Sequence, residues 1–489
     1  MSGARPIRAG GRRSAAPRPL PNTVAGRRLA EVLQLVADAM PPRVAERLET
    51  LYTPVNLERE PIERRIGAFM DWCARGGFEI VAVTDSEPLA IQTLARQPVT
   101  DEHWHLALQL EPAPPHRIAT LLLGRAPLPN LHGPLSDDRA ARAFVDYARR
   151  LAETDLFSGA VLIGRHGSVL AQGAFGYANR DFDVPNTTDT RFNVASLTKS
   201  WTAVAICQLA ERGLLSLQDP LAKYLEYPDR ASAAAIRIEH LLSHTSGLGD
   251  YFNEAFDRTP RGLIRELDDF LALARDDGPA FQAGTGWRYS NIGMILLGKV
   301  IERVTGERYH DHVEVDVLQR AGMRNAGFVE LDHVNPGIAV GYGKRWTRAG
   351  PQIVNSSFEW AVRGAPDGCG YATAADIWAF AQALLAGRLV SPAMLEEMTT
   401  AKPALGAPDY GYGFAIHPER ALFGHSGGLV GASANLDITR QPDGWVVVVL
   451  ANELSMRAPV LKARQLIGVT VPEAESGRSH LPRAGITAR

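Results

Sequence analysis

The sequence has few cysteines and no long apolar run. Its 489 residues include only three cysteines, at the widely spaced positions Cys73, Cys207 and Cys369. These positions form no metal-binding or redox pattern, and a chain of this length does not depend on a disulfide scaffold. No apolar run reaches the ~18 residues that a membrane-spanning helix requires. With 45% hydrophobic and 22% charged residues, the composition is that of an ordinary globular protein and excludes a fibrous or wholly disordered chain.

A large excess of basic charge is also missing. Residues 1–30 contain seven arginines and no acidic residue, whereas the remaining 459 residues carry 45 basic and 54 acidic side chains. Nucleic-acid binding by these 459 residues is therefore not expected, because phosphate contacts need clustered Lys and Arg. We interpret residues 1–26 as a disordered Arg/Pro-rich leader, although contact with nucleic acid or anionic lipid stays open for it.

The leader lacks the apolar segment of a secretory signal. Taken literally, this favours a cytoplasmic protein without a transmembrane segment. A periplasmic or secreted location remains open if the start of the sequence is misassigned. The oligomeric state does not follow from the sequence.

Residues 27–125 predict a small α+β accessory domain. Helical periodicity up to residue 75 is followed by four short strand patterns that are separated by turn residues. This arrangement resembles an NTF2-like module. A proline-rich linker at 126–135 follows it.

Residues 136–470 form a second predicted domain, and 471–489 are predicted to be a disordered tail. Strand patterns lie near the start of this domain and again at 432–439 and 445–450, on either side of a mainly helical middle. We expect strands from both ends to pair into one antiparallel sheet. The fold class is therefore α+β.

Ser196 and Lys199 stand three residues apart where a strongly helical run begins. This spacing puts the hydroxyl and the amine on one helix face, within reach of each other. Serine is a weak nucleophile at neutral pH and needs a neighbouring base. A bare Ser-x-x-Lys is also common by chance, and a solvated capping serine is the alternative.

The residues around this pair carry a family resemblance. Phe192 to Lys199 reads Phe-Asn-Val-Ala-Ser-Leu-Thr-Lys, Tyr289-Ser290-Asn291 gives a Tyr-x-Asn motif, and Gly424 to Gly428 reads Gly-His-Ser-Gly-Gly. In this order and spacing, the chain resembles the serine β-lactamase and penicillin-binding protein superfamily, most closely its class C-like branch. The resemblance covers roughly residues 136–467.

The resemblance implies a β-lactamase-like serine hydrolase that acts through an acyl-enzyme on a small-molecule or peptide-like ester or amide. It implies Ser196, Lys199 and Tyr289 as catalytic residues, Asn291 and His425 as substrate-binding residues, and the backbone N–H groups of Ser196 and Gly428 as an oxyanion hole. No metal or organic cofactor is implied. His425 stands where the family usually has a lysine, which favours esterase or D-amino-acid peptidase activity over efficient β-lactam hydrolysis.

Several alternatives remain. Gly424 to Gly428 also matches Gly-x-Ser-x-Gly, the nucleophile elbow around Ser426, but a strand pattern follows it where that fold needs a helix, and the only later histidine is His480. His240 and His244 have the spacing of zinc ligands but lack the adjacent Glu, so a role in structuring the loop is preferred. His103, His105, His310 and His312 are interpreted as solvated surface residues. A catalytically weak or inactive ligand sensor is the non-enzyme alternative.

Overall fold

The computed structural model describes residues 18–38, 40–129, 135–226, 230–274, 278–417, 419 and 421–469. Most of the predicted leader, the whole predicted tail at 471–489 and part of the linker lie outside these residues. The chain divides into two compact units, one of residues 1–128 and 346–352 and the other of residues 129–345 and 353–489. The finer domain boundaries stay predictions.

The first unit combines four helices with a four-stranded antiparallel meander. The helices are α1 (Val24–Ala37), α2 (Pro41–Leu51), α3 (Pro54–Glu58) and α4 (Ile62–Ala74), and the strands are β1 (Glu79–Ser86), β2 (Ala90–Arg96), β3 (His103–Leu110) and β4 (Ile118–Ala126), in the order β1-β2-β3-β4. Thr23 caps α1 by accepting a hydrogen bond from the backbone N–H of Gly26 at 3.0 Å, so the first helix begins inside the predicted leader. Apolar residues of α1, α2 and α4 pack with β2–β4 into one core.

The second unit is built on a six-stranded antiparallel sheet. Its strands are β5 (Gly159–Arg165), β6 (Ser168–Phe175), β13 (Ala415–His417), β14 (Leu422–Leu429), β15 (Ala432–Thr439) and β16 (Trp445–Ala451), in the order β13-β14-β15-β16-β5-β6. Val448 of β16 lies opposite Leu162 of β5. The predicted pairing of strands from both ends of the domain is therefore confirmed.

Helices cover this sheet. The helix α5 (Asp137–Glu153) packs on β5 and β6 and on α15 (Arg457–Leu466), while α13 (Ala374–Leu385) packs on β5 and β16. Every residue of β15 and β16 is buried, as the continuous apolar sequence of β16 requires.

The segment between β6 and β13 is mainly helical. Its helices are α6 (Thr198–Glu211), α7 (Arg230–Ala235), α8 (Ile238–Leu242), α9 (Glu254–Arg258), α10 (Leu267–Leu273), α11 (Asn291–Thr305), α12 (Tyr309–Val313), α14 (Pro392–Met398) and a π-helical turn at Glu314–Gln319. Short strands interrupt them: β7 (Tyr177–Asn179), β8 (Val184–Pro185), β9 (Phe192–Asn193), β10 (Tyr342–Thr347), β11 (Gly350–Asn355) and β12 (Tyr371–Ala372). Buried apolar residues of α6, α11 and α13 join those of the sheet in one core. This α+β architecture is the predicted one.

Candidate active site

Ser196 lies on a tight turn between β9 and α6. A 3-10 turn at Ala195–Leu197 precedes α6, and Ala195 has a φ of +46°, a left-handed conformation that is costly for a residue with a side chain. Three hydrogen bonds hold this turn: Ala195 N–H donates to Asn193 Oδ1 at 2.8 Å, and the Ala195 carbonyl accepts from Thr198 Oγ1 at 2.8 Å and from Cys369 N–H at 3.2 Å. The turn presents the Ser196 side chain at a partly exposed position.

Lys199 is fully buried beneath Ser196. Its Nζ donates to Ser196 Oγ at 3.1 Å and also to the backbone carbonyl of Asp367. The same Nζ lies 4.8 Å from the centroid of the Tyr289 ring. The structure therefore brings the three predicted catalytic side chains together, within the distance at which a proton can pass between Ser196 and Lys199.

Asn291 begins α11 directly after Tyr289 and Ser290. Ser290 is the helix cap, since its hydroxyl accepts from Gly293 N–H at 3.0 Å. Asn291 is thereby left free of the capping role, and its Nδ2 donates to Oδ2 of Asp250 at 2.7 Å. Asp250 is a residue of this site that the sequence reasoning missed.

The strand β14 passes close to the nucleophile. A Cβ built on Gly427 would lie 2.5 Å from the backbone N of Ser196 and 2.7 Å from the carbonyl oxygen of Val194. Only glycine permits this approach. Gly428, the predicted second donor of the oxyanion hole, is the next residue of β14, and its role stays a prediction.

His425 of β14 is buried. Its Nδ1 lies 2.6 Å from the carbonyl oxygen of Ser426 and its Nε2 lies 2.9 Å from the hydroxyl of Tyr410. Because a carbonyl oxygen only accepts, Nδ1 carries a proton, and in the neutral ring the Tyr410 hydroxyl donates to Nε2. The contact of His425 with substrate stays a prediction.

Aromatic rings surround the site on the side of Tyr289. The His244 ring lies 4.3 Å from that of Tyr289 and 4.9 Å from that of Tyr410, measured between centroids. His244 Nδ1 accepts from Ser290 N–H at 3.3 Å. His244 thus supports the Tyr-x-Asn segment, whereas its role in structuring the loop that leads to Gly247 stays a prediction.

Two carboxyl groups lie near Lys199, those of the half-buried Asp250 and of the buried Asp367. Burial raises the pKa of both Asp250 and Asp367, and the charge of Lys199 partly opposes this rise. The Asp367 carboxylate accepts from the Tyr251 hydroxyl at 2.7 Å. Burial likewise raises the pKa of the Cys369 thiol to about 12, so this cysteine is a thiol at neutral pH and does not compete with Ser196 as a nucleophile.

The alternative nucleophile does not have the required geometry. Ser426 lies inside β14, and the following segment returns as the antiparallel strand β15, with Ser426 opposite Asn435. An elbow needs a sharp turn into a helix at the serine. The Gly-x-Ser-x-Gly match is therefore incidental.

The interpretation of His310 and His312 as solvated surface residues is wrong. His310 and His312 are buried, because α12 packs against α11 and α6. His310 Nε2 donates to the carbonyl of Gly364 at 2.8 Å, and burial lowers the pKa of His310 to about 4.

Two groups of side chains among the described residues could hold a metal ion. One is Glu307, His312 and Asp316, and the other is Glu330, Asp332 and His333. Neither group includes a residue of the site around Ser196.

Residues 138–470 match the family model described as Beta-lactamase. The chain belongs to the beta-lactamase family. This match covers more than half of the sequence and contains every residue of the site. Within the described residues, no helix has both the length and the apolar character needed to cross a membrane.

Three relatives illustrate what the chain is similar to. A Bacillus subtilis protein provisionally named penicillin-binding protein PbpX is 33% identical over 263 residues, which are 54% of this chain and 63% of the relative. Esterase EstB of Burkholderia gladioli is 36% identical over 206 residues, 40% of this chain and 52% of the relative. The crystal structure of a penicillin-binding protein from Bacillus halodurans has 32% identity and a TM-score of 0.58, and the match covers 64% of this chain and 96% of that one. The chain thus matches less than two thirds of the length of each of the two relatives compared by sequence.

Proposed function

We propose that this beta-lactamase-family protein is a serine hydrolase that forms an acyl-Ser196 intermediate on esters or amides. The observation that carries the proposal is the 3.1 Å contact between Lys199 Nζ and Ser196 Oγ, at a turn that β14 approaches through Gly427. A serine hydroxyl becomes an effective nucleophile when an adjacent base takes its proton.

In the proposed reaction, Lys199 and Tyr289 together lack one proton before the attack. Ser196 Oγ attacks the carbonyl carbon while its proton passes to this pair. The carbonyl oxygen becomes an oxyanion between the backbone N–H groups of Ser196 and Gly428. When the carbon to leaving-group bond breaks, the same proton passes to the leaving alcohol or amine. Water then attacks the acyl-enzyme, releases the acid and restores the Ser196 hydroxyl.

The surroundings of His425 favour esterase or D-amino-acid peptidase activity over efficient β-lactam hydrolysis. Both ring nitrogens contact groups of the protein, and the ring provides no fixed positive charge like that of a lysine for a substrate carboxylate. The similarity to an esterase supports the same ranking.

A panel of substrates tests the proposal. We would measure turnover of p-nitrophenyl esters, D-amino-acid amides and a chromogenic cephalosporin by the parent, Ser196→Ala and the matched variant Ser426→Ala. We expect Ser196→Ala to lose at least about 10⁴-fold in kcat, and Ser426→Ala to keep most of the activity, because the proposed reaction gives the Ser426 hydroxyl no role. Equal turnover by Ser196→Ala and the parent would refute the assignment of the nucleophile. If the parent neither became acylated by any of these substrates nor turned any of them over, the ligand-sensor alternative would be favoured instead.

A further inference from the structure

The first unit contains a cleft that has no part in the proposed reaction. The cleft lies between α3, the start of α4 and the strand β4, and its volume is about 340 Å³. This is the lower end of the range that small-molecule sites occupy, roughly 300–1,000 Å³.

The polar lining of the cleft is predominantly basic. Arg59, Arg64 and Arg65 face a single acidic residue, Glu60. The carboxylate of Glu60 approaches the guanidinium nitrogens of Arg64 and Arg65 only at 4.0 and 3.9 Å, beyond the length of a hydrogen bond. Since each guanidinium carries five N–H donors, the cleft keeps an excess of positive charge and of donors.

One of these arginines is held in place by the protein. Arg65 donates to the backbone carbonyl of Asn56 at 2.6 Å, its guanidinium carbon lies 4.8 Å from the centroid of the Tyr52 ring, and its side chain is only 12% exposed. A charged group that is already ordered loses little entropy when it binds a ligand.

Two buried polar atoms of the same residues lack a hydrogen-bond partner within the described part of the chain. They are Nε of Arg65, a donor, and Oδ1 of Asn56, an acceptor. Buried polar atoms are nearly always paired in proteins. Because Asn56 and Arg65 both line the cleft, a polar group bound there could pair with them. Leu121 and Leu122 of β4 add apolar lining.

We propose that this cleft binds a small organic anion. Its carboxylate or phosphate group pairs with Arg59, Arg64 and Arg65, a hydroxyl or N–H group donates to Asn56, and a short apolar portion lies against Leu121 and Leu122. The first unit is thereby a ligand-binding module, whatever the substrate of the hydrolase.

Calorimetric titration of the full chain at low ionic strength tests this. The probes are inorganic phosphate, which combines an oxyanion with a hydroxyl donor, and lactate, a 2-hydroxy carboxylate, with chloride as the ionic-strength control. We expect saturable binding of at least one probe at one site per chain. Saturation by phosphate alone assigns a phosphate ligand, and saturation by lactate alone assigns a carboxylate.

Variants locate the site. Arg59→Gln and Arg64→Gln alter exposed side chains, and each should weaken binding about tenfold, because a charge-assisted hydrogen bond is lost. Arg43→Gln, an exposed arginine of α2 that does not line the cleft, should leave the Kd unchanged. Saturable binding by neither probe, or equal affinities for the parent and both cleft variants, would overturn the proposal.

Discussion

The side-chain amide of Asn291 is oriented by Asp250, to which its Nδ2 donates at 2.7 Å. The amide nitrogen therefore faces the carboxylate, and the amide oxygen points away from it. Asp250 is itself held by the backbone N–H of Phe252 at 3.2 Å. In the proposed reaction Asp250 is a positioning residue, acting through Asn291.

Asp250→Ala should lower kcat/KM for an activated ester about tenfold or more, since a hydrogen bond to a charged group contributes about 1.5–3 kcal/mol. Asp250→Asn, which can still accept a hydrogen bond, should lose less. Asp257→Ala changes an exposed residue of α9 and serves as the control. An Asp250→Ala enzyme with the parent's kcat/KM would show that Asn291 needs no such support.

The same carboxylate should produce a pH dependence. Burial raises the pKa of Asp250 above its ordinary 3.8, so on acidification this group becomes protonated, and its hydrogen bond to Asn291 weakens, at a higher pH than an exposed aspartate would. The ratio of kcat/KM between the parent and Asp250→Asn should therefore fall as the pH falls through the raised pKa. A ratio independent of pH would contradict this.

Asp367 should make the protein less stable as the pH rises. Its pKa is raised by burial above 3.8, so between these two values the folded state binds more protons than the unfolded state, and the free energy of unfolding falls with increasing pH. Asp367→Asn keeps an acceptor for the Tyr251 hydroxyl but cannot ionise. Urea unfolding of both proteins across this pH window should show a parent that loses stability relative to the variant as pH rises. If the free energies of unfolding of the parent and of Asp367→Asn changed with pH in the same way, the prediction would be refuted.

Tyr410→Phe should disturb His425 while keeping the aromatic packing. The change removes the hydroxyl that lies 2.9 Å from Nε2 but leaves the ring beside His244. The loss of one partner of a buried hydrogen bond costs about 1–3 kcal/mol, which should appear as lower stability in urea unfolding and as altered relative rates on neutral esters and carboxylate-bearing substrates. Unchanged stability together with an unchanged substrate ranking would show that the Tyr410 hydroxyl does not support His425.

The sequence predicted those parts of the site that follow a local pattern. Ser196 and Lys199 are three residues apart, and the apolar runs of β5 and β16 indicate buried strands that need partners. Asp250 and Asp367 could not be found in this way, because they come from separate loops and meet Lys199 only in the folded chain. The prediction for His310 and His312 was wrong for the same reason. The sequence of α12 is polar, and the packing that buries this helix exists only in the folded chain.

Gly427 offers the sharpest test of the site geometry. In Gly427→Ala the new Cβ would lie 2.5 Å from Ser196 N and 2.7 Å from Val194 O. Both are backbone atoms that no side-chain rotation can move, so β14 must shift away from the nucleophile. We expect kcat to fall about 10²-fold or more, as in the loss of one oxyanion-hole donor, while circular dichroism shows an intact fold. Gly262→Ala is the matched control, because a Cβ there meets nothing within 4 Å, and it should retain the parent's kcat. If Gly427→Ala were equally active, the close approach of β14 to Ser196 would not be needed for turnover, and the assignment of an oxyanion hole to Ser196 and Gly428 would fail.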